Sequence, residues 1–151
     1  MKPAITRQPL VNIDFASYIS GFVDGEGCFC VSVNPRKTLK IGWEIRPSFS
    51  VSQNEDRSEV LEKMREYFNR GTIRKDTSDK TVKYEVRALN ALIEKIIPHF
   101  EKFPLQSSKQ KSFDLFKEIC QKMSLKEHLS KNGSQEIIGL ARKINTGKRK
   151  Y

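Results

Sequence analysis

From Leu39 to Gln53 the chain alternates, with Leu39, Ile41, Trp43, Ile45, Phe49 and Val51 on one parity and Lys40, Glu44, Arg46, Ser48 and Ser50 on the other. Successive strand side chains point to opposite faces, so a run this long predicts a strand packed on one side and wet on the other. Cys28–Arg36 repeats the pattern on a shorter scale, with Phe29, Val31 and Val33 set against Cys30, Ser32 and Asn34. Gly71–Thr77 and Thr81–Leu89 predict a second strand pair around the polar turn Ser78-Asp79-Lys80.

Between the strand pairs the period becomes helical. Phe15, Tyr18, Ile19, Phe22 and Val23 recur at helical spacing, with Asn12 as N-cap, Asp14 in the first turn and an end near Gly25 or Gly27. A second helix is predicted over Asn54–Asn69, carrying Val60, Leu61, Met64, Tyr67 and Phe68 on one stripe, with Gly71 just past its end. Asn90–Ile97 reads as a short helix stopped at Pro98, and Ser107–Met123 and Ser134–Asn145 as two more. The order predicts an α+β fold, αββαββα, with a mostly antiparallel four-stranded sheet and additional C-terminal helices. Residues 1–11, with two prolines and no period, read as an arm, 12–145 as a single domain, and 146–151 as a basic tail.

The 151 residues carry a formal net charge of +10, which puts a polyanion first among partners. Cys28, Cys30 and Cys120 lack the paired spacing of a zinc site, and His99 and His128 have no metal-ligand context and read as surface or interface residues. Free thiols suggest a reducing compartment. The chain shows neither an apolar run of about 18 residues nor the apolar stretch of a signal peptide, so an intracellular protein with no membrane partner is expected.

The wet face of the predicted sheet collects Cys30, Ser32, Asn34 and Arg36; Lys40, Glu44, Arg46, Ser48 and Ser50; Thr72, Arg74 and Asp76; and Lys83, Glu85 and Arg87. Arg and Lys suit guanine edges and phosphates, Asn suits adenine, and Ser adapts to either, so this face is the candidate DNA-binding surface. A ten-residue strand spans ~33 Å, about ten base pairs of duplex.

Tyr18-Ile19-Ser20-Gly21-Phe22-Val23-Asp24-Gly25-Glu26-Gly27 is the stretch that carries chemistry. Gly21 and Gly25 are four apart on one helical face with Ser20 beside them, a spacing that lets two helices pack closely. Tyr18, Ser20, Gly21, Asp24 and Gly25 are therefore the candidate dimer interface. Two such helices meeting about a two-fold axis would bring their Glu26 carboxylates together, and like charges so close need a cation between them. Carboxylate, main-chain and phosphate oxygens suit Mg2+, or another divalent cation such as Mn2+, at a metal-assisted phosphodiesterase site.

Ile19–Gly27, ISGFVDGEG, resembles the LAGLIDADG motif of homing endonucleases, with Gly21, Asp24 and Gly27 matching directly. The order of elements follows that family too. The resemblance implies that Glu26 is the metal-binding acid and that the Gly25 carbonyl helps hold the ion. It implies that Gln53, closing Phe49-Ser50-Val51-Ser52-Gln53, orders the attacking water. It places a catalytic lysine in Ser107-Ser108-Lys109-Gln110-Lys111, where Lys109 fits best and Lys111 is the fallback, and a basic residue at Arg57. One motif copy implies the homodimeric branch, cutting both strands of a long, nearly palindromic DNA site. The implied function is a Mg-dependent DNA endonuclease, intron-encoded, in an organelle or a bacterial cytoplasm. The alternative is a non-cleaving DNA- or RNA-binding module on the same fold, such as an intron maturase or a regulator.

Overall fold

The structure is a computed structural model that describes residues 12–145, so the expected arm 1–11 and tail 146–151 lie outside the described residues. Helix α1 (Phe15–Glu26) starts one turn fraction later than expected, because Asp14 and not Asn12 is its N-cap. The Asp14 carboxylate accepts from the Ser17 amide at 3.4 Å and the Ser17 hydroxyl at 2.5 Å, and these bonds hold its pKa below the usual carboxylate value. The helix ends at Gly27, whose amide bonds the Val23 carbonyl. A Cβ on Gly27 would lie 2.5 Å from Val23 Cγ1, so the turn from helix into strand admits no side chain there.

Strands β1 (Gly27–Pro35), β2 (Trp43–Asn54), β3 (Thr72–Asp76) and β4 (Thr81–Val86) form one antiparallel sheet in the order β1-β2-β4-β3. Strand β2 begins at Trp43 rather than Leu39. Arg36–Gly42 is a turn closed by Arg36 N–H to Gly42 O (2.8 Å) and Gly42 N–H to Leu39 O (2.9 Å), with Gly42 at φ +78°. Lys40, expected on the wet strand face, therefore sits in this turn, and Leu39 and Trp43 are about two-fifths exposed. Local alternation extended the strand into a segment whose backbone bonds to itself.

The dry face carries Phe29, Val31, Ile45, Phe49, Val51, Val82, Tyr84 and Val86, all buried. Phe29 and Phe49 are cross-strand partners, and Phe29, Phe100, Phe113 and Phe116 pack ring to ring at centroid distances of 5.3–5.7 Å. Burying such rings takes large apolar areas out of water, a main drive to fold. Their covering layer comes from α2 (Glu59–Phe68), α3 (Leu89–Ala91), α4 (Ile97–Lys102), α5 (Lys109–Ser124) and α6 (Lys131–Asn145). A 3-10 turn over Glu55–Arg57 precedes α2, so the predicted single helix from Asn54 is two pieces, and Asn69 (φ 53°) forms the left-handed cap expected nearer Gly71.

Pro98 does not stop its helix. A π-helical stretch, Leu92–Ile96, joins α3 to α4, and the helix runs on to Lys102. The wider π turn accommodates a residue that has no amide to donate and that crowds the preceding turn. The architecture is the predicted α+β arrangement, αββαββα followed by further helices. Among the described residues no helix is long and apolar enough to cross a membrane.

Candidate active site and nucleic-acid interface

Cross-strand register sets the wet face of the sheet row by row. Cys28, Ser50, Glu85 and Thr72 share one row; Ser52, Lys83 and Arg74 the next; Asn54, Thr81 and Asp76 the one beyond. In the other direction come Cys30 with Ser48, Ser32 with Arg46, and Asn34 with Glu44. The predicted set is thus brought together, with three adjustments. Ser50 lies on this face but is buried at 8% exposure, Lys40 has left it for the turn, and Arg36 and Arg87 flank the strands rather than belonging to them. Cys28, Ser52, Asn54 and Thr81 join the set, as the strand parity alone would place them.

Glu44 lies 2.9 Å from Arg36 Nη1 and accepts from Arg46 Nε at 2.5 Å. Desolvation works to raise the Glu44 carboxyl, but the Arg46 hydrogen bond and the two guanidiniums outweigh it and hold the pKa below its usual value.

At the rim of this face α1 delivers Glu26, exposed, to the end of β2. Gln53 Nε2 donates to Glu26 Oε2 at 3.2 Å and to the Ser52 carbonyl at 2.8 Å. The two side chains, 27 residues apart in sequence, open with Ser52, Asn54, Arg57 and Thr81 onto a cavity of about 340 Å³. The acid, the glutamine and Arg57 therefore share one concavity with Ser52, Asn54 and Thr81 of the wet face.

Lys109 reaches the same helix end from α5. Its Nζ donates to Gly27 O at 2.6 Å and to Val23 O at 2.9 Å. Burial lowers its pKa, while the charge of Asp24 and, more weakly, Glu26 oppose that shift. Lys111 is exposed on α5, so the geometry singles out Lys109.

Asp24 does intramolecular work. Its carboxylate accepts from the Gln106 amide at 2.8 Å, the Ser107 amide at 3.0 Å and the Ser107 hydroxyl, whose bond chiefly holds the Asp24 pKa down. The end of α1 and the start of α5 are thus tied twice, by Asp24 in one direction and Lys109 in the other.

Ser20, expected on the partner-facing side, is turned inward at 5% exposure. Its hydroxyl donates to Phe103 O at 2.6 Å and contacts His99 Nε2 at 3.1 Å, while His99 Nδ1 lies 3.0 Å from the Tyr67 hydroxyl. With the Ser20 proton spent on Phe103, Nε2–H must donate to Ser20 and Nδ1 must accept from Tyr67. His99 is therefore a core residue and not a surface one, at 6% exposure, and burial lowers its pKa to about 4. Its sequence context holds no hint of this, because both partners are more than 30 residues away.

The opposite side of α1 is open. Tyr18 is 46% exposed, and a Cβ on Gly21 or Gly25 would meet nothing within 4 Å. No group of three or more His, Cys, Asp or Glu side chains able to hold a metal exists among the described residues. Of the two carboxylates at the end of α1, Asp24 is taken by Gln106 and Ser107, while Glu26 is exposed and bonded to Gln53.

A helix ends in an acid on the rim of a polar antiparallel sheet, and comparison with known proteins identifies the family that shares this arrangement. A family model described as LAGLIDADG endonuclease matches residues 19–120, and the chain belongs to that family. A probable intron-encoded endonuclease of Neurospora crassa is 35% identical over 132 residues, 87% of this chain but 29% of the relative, so the chain spans under a third of that protein. Among solved structures, the homing endonuclease I-TnaI superposes with a TM-score of 0.81 at 35% identity, covering 88% of this chain and 89% of that one. I-SmaMI, bound to uncleaved DNA target in the presence of calcium ions, gives 0.84 at 32% identity, covering 89% of this chain and 46% of its own.

Proposed function

We propose that this chain is a site-specific DNA endonuclease that acts as a homodimer on a long, nearly palindromic duplex site. The observation that carries this reading is the meeting of Glu26 and Gln53 at the rim of the polar sheet face, with Lys109 on the same helix end. The relatives that are homing or intron-encoded endonucleases support it, as does the I-SmaMI structure with DNA.

The residues fit a hard divalent cation. The last carbonyls of a helix lack intrahelical partners and carry the negative end of its dipole. Val23 O is taken by the Gly27 amide and Lys109, while Gly25 and Glu26 lie exposed beside it. Glu26 and the Gly25 carbonyl would hold Mg2+ or Mn2+, which when bound supplies Lewis-acid charge toward water and phosphate oxygens. With Asp24 spent on Gln106 and Ser107, Glu26 is the helix-end carboxylate left for a cation, and a second copy is the natural source of further oxygen ligands.

The protein's own groups have separate tasks. The Gln53 amide nitrogen is spent on Glu26 and Ser52, which leaves its carbonyl oxygen to accept from, and orient, a water. Lys109 has three ammonium protons; two are held by main-chain carbonyls, and the third is available to a phosphate oxygen. The sheet face supplies register and base contacts along the duplex. Open glycines on α1 provide the seam where two copies meet.

Incubating the protein with Mg2+ and a plasmid library of intron-insertion sites, then mapping the ends, tests the reading. Discrete double-strand breaks at one sequence are expected. Sequence-selective binding with no cutting in Mg2+ or Mn2+ would overturn it in favour of a non-cleaving module.

A further inference from the structure

Three carboxylates share the wet face away from Glu26. Asp76 is spent on the Ser78 turn, accepting from the Ser78 amide at 3.0 Å and hydroxyl at 2.6 Å. Glu44 and Glu85 are ringed by bases instead. Glu44 lies 2.9 Å from Arg36 Nη1 and 2.5 Å from Arg46 Nε; Glu85 lies 3.2 Å from Arg87 Nε and 3.4 Å from Lys83 Nζ.

The two clusters are built alike. Each acid sits low, with its side chain 22% exposed for Glu44 and 12% for Glu85, and its arginines stand higher, at 50–62%. Partners on the same strand are two residues away, on the same side of the pleat. In both clusters an arginine, Arg46 or Arg87, is engaged through Nε. That leaves the Nη pair, the end of the fork that pairs with guanine O6 and N7 or with phosphate, unspent by the carboxylate.

An acid on a face that meets a polyanion costs affinity, and ion pairs this exposed add little to folding. Their effect falls on the bases. A guanidinium already held in one orientation loses less freedom on contact, and a charge already half-cancelled is drawn less to any backbone phosphate.

We propose that Glu44 and Glu85 are positioning residues for sequence discrimination, each aiming its arginine at a base edge and suppressing attachment to DNA of any sequence. This rests on the DNA-reading function proposed above.

Near-isosteric variants E44Q and E85Q test it, with E66Q, an exposed acid on α2, as the control for net charge. Each protein is titrated against an unrelated duplex across a salt series and used to select sites from a randomised duplex pool. Affinity for the unrelated duplex is expected to rise about 3–10-fold in E44Q and E85Q and less than about twofold in E66Q. Discrimination should fall about tenfold, confined to the base pairs beneath the altered arginine. In an R36A/R46A background E44Q should cause no further loss of discrimination, since Glu44 acts through these two arginines. Unchanged selected sites in E44Q and E85Q, equal effects from E66Q, or an additive E44Q loss in the R36A/R46A background would each overturn the inference. A wild-type protein with no affinity for duplex DNA would sink the DNA-reading function itself, and the inference with it.

Discussion

Two sides of α1, a few ångströms apart, are built on opposite principles. Its inner side is closed by shape and hydrogen bonding: Ile19 and Val23 are fully buried, and Ser20 is locked to His99 and Phe103. Its outer side carries Tyr18, Gly21 and Gly25 with nothing from the same chain against the glycines. On the inside every group has a partner that explains it. On the outside Tyr18 stacks on Phe15 and Phe22 while the glycines stay open, the side on which the proposed second copy would sit, and Glu26 stands where the two sides end.

The sharpest way to break this contrast is at the tip. Glu26→Gln removes the one carboxylate of the proposed cation site without touching the reading face, so cutting should fall by about 10³-fold or more while DNA binding persists. Normal cutting of mapped sites by this variant would show that the acid has no catalytic part.

Next in size is the outer side. Gly21→Leu adds bulk where a Cβ meets nothing within 4 Å, so the single-chain fold should melt little changed, but self-association should weaken about 100-fold. Sedimentation of this variant as a dimer of unaltered affinity would move the interface off α1.

The inner side is probed by pH. His99 has a folded pKa of about 4, below the ordinary 6.5, because burial disfavours the imidazolium. The unfolded chain therefore binds the proton more readily, so this contribution to stability is complete above pH 6.5 and is lost as pH falls toward 4. The full loss is about 3 kcal/mol, read by urea unfolding at pH 7, 5 and 4. The nearby Asp14 charge opposes the shift, and Tyr67 would then face an added proton on Nδ1. A flat profile over this range would mean that His99 is not held neutral in the fold.

The smallest effect concerns the tie between α1 and α5. Asp24→Ala removes the acceptor for the Gln106 and Ser107 amides, and a loss of about 1–2 kcal/mol is expected by analogy with a helix cap, measured by thermal unfolding. A larger loss of cutting than of stability would show that the tie also positions Lys109.

Much of the fold was legible because it is written in short periods. Phe29, Val31, Phe49 and Val51 announced their strands by parity, and the same parity laid out the wet face opposite them. Where local pattern and backbone bonding disagreed, the pattern misled: Leu39 to Trp43 alternates, yet the Arg36–Gly42 turn bonds to itself. Pro98 likewise carries a stop signal that a neighbouring π turn absorbs. At the site, Glu26 and Gln53, named from the motif and the strand it leads into, meet in the structure, whereas the inward turn of Ser20 onto His99 and Phe103 and the bonds of Asp24 to Gln106 and Ser107 carry no local signal.

By itself, then, the order of residues determined most of the helices and strands, which side of each strand is wet, and where in the first helix the acid lies. These depend on neighbours two to four positions apart, where chain geometry leaves few choices. Only the tertiary structure decided that His99 and Phe103 claim Ser20, that Gln106 and Ser107 claim Asp24, and that Lys109 rather than Lys111 reaches α1. Those contacts join residues 79 to 86 positions apart. Their geometry follows from how α4 and α5 pack across the sheet, which no local period encodes.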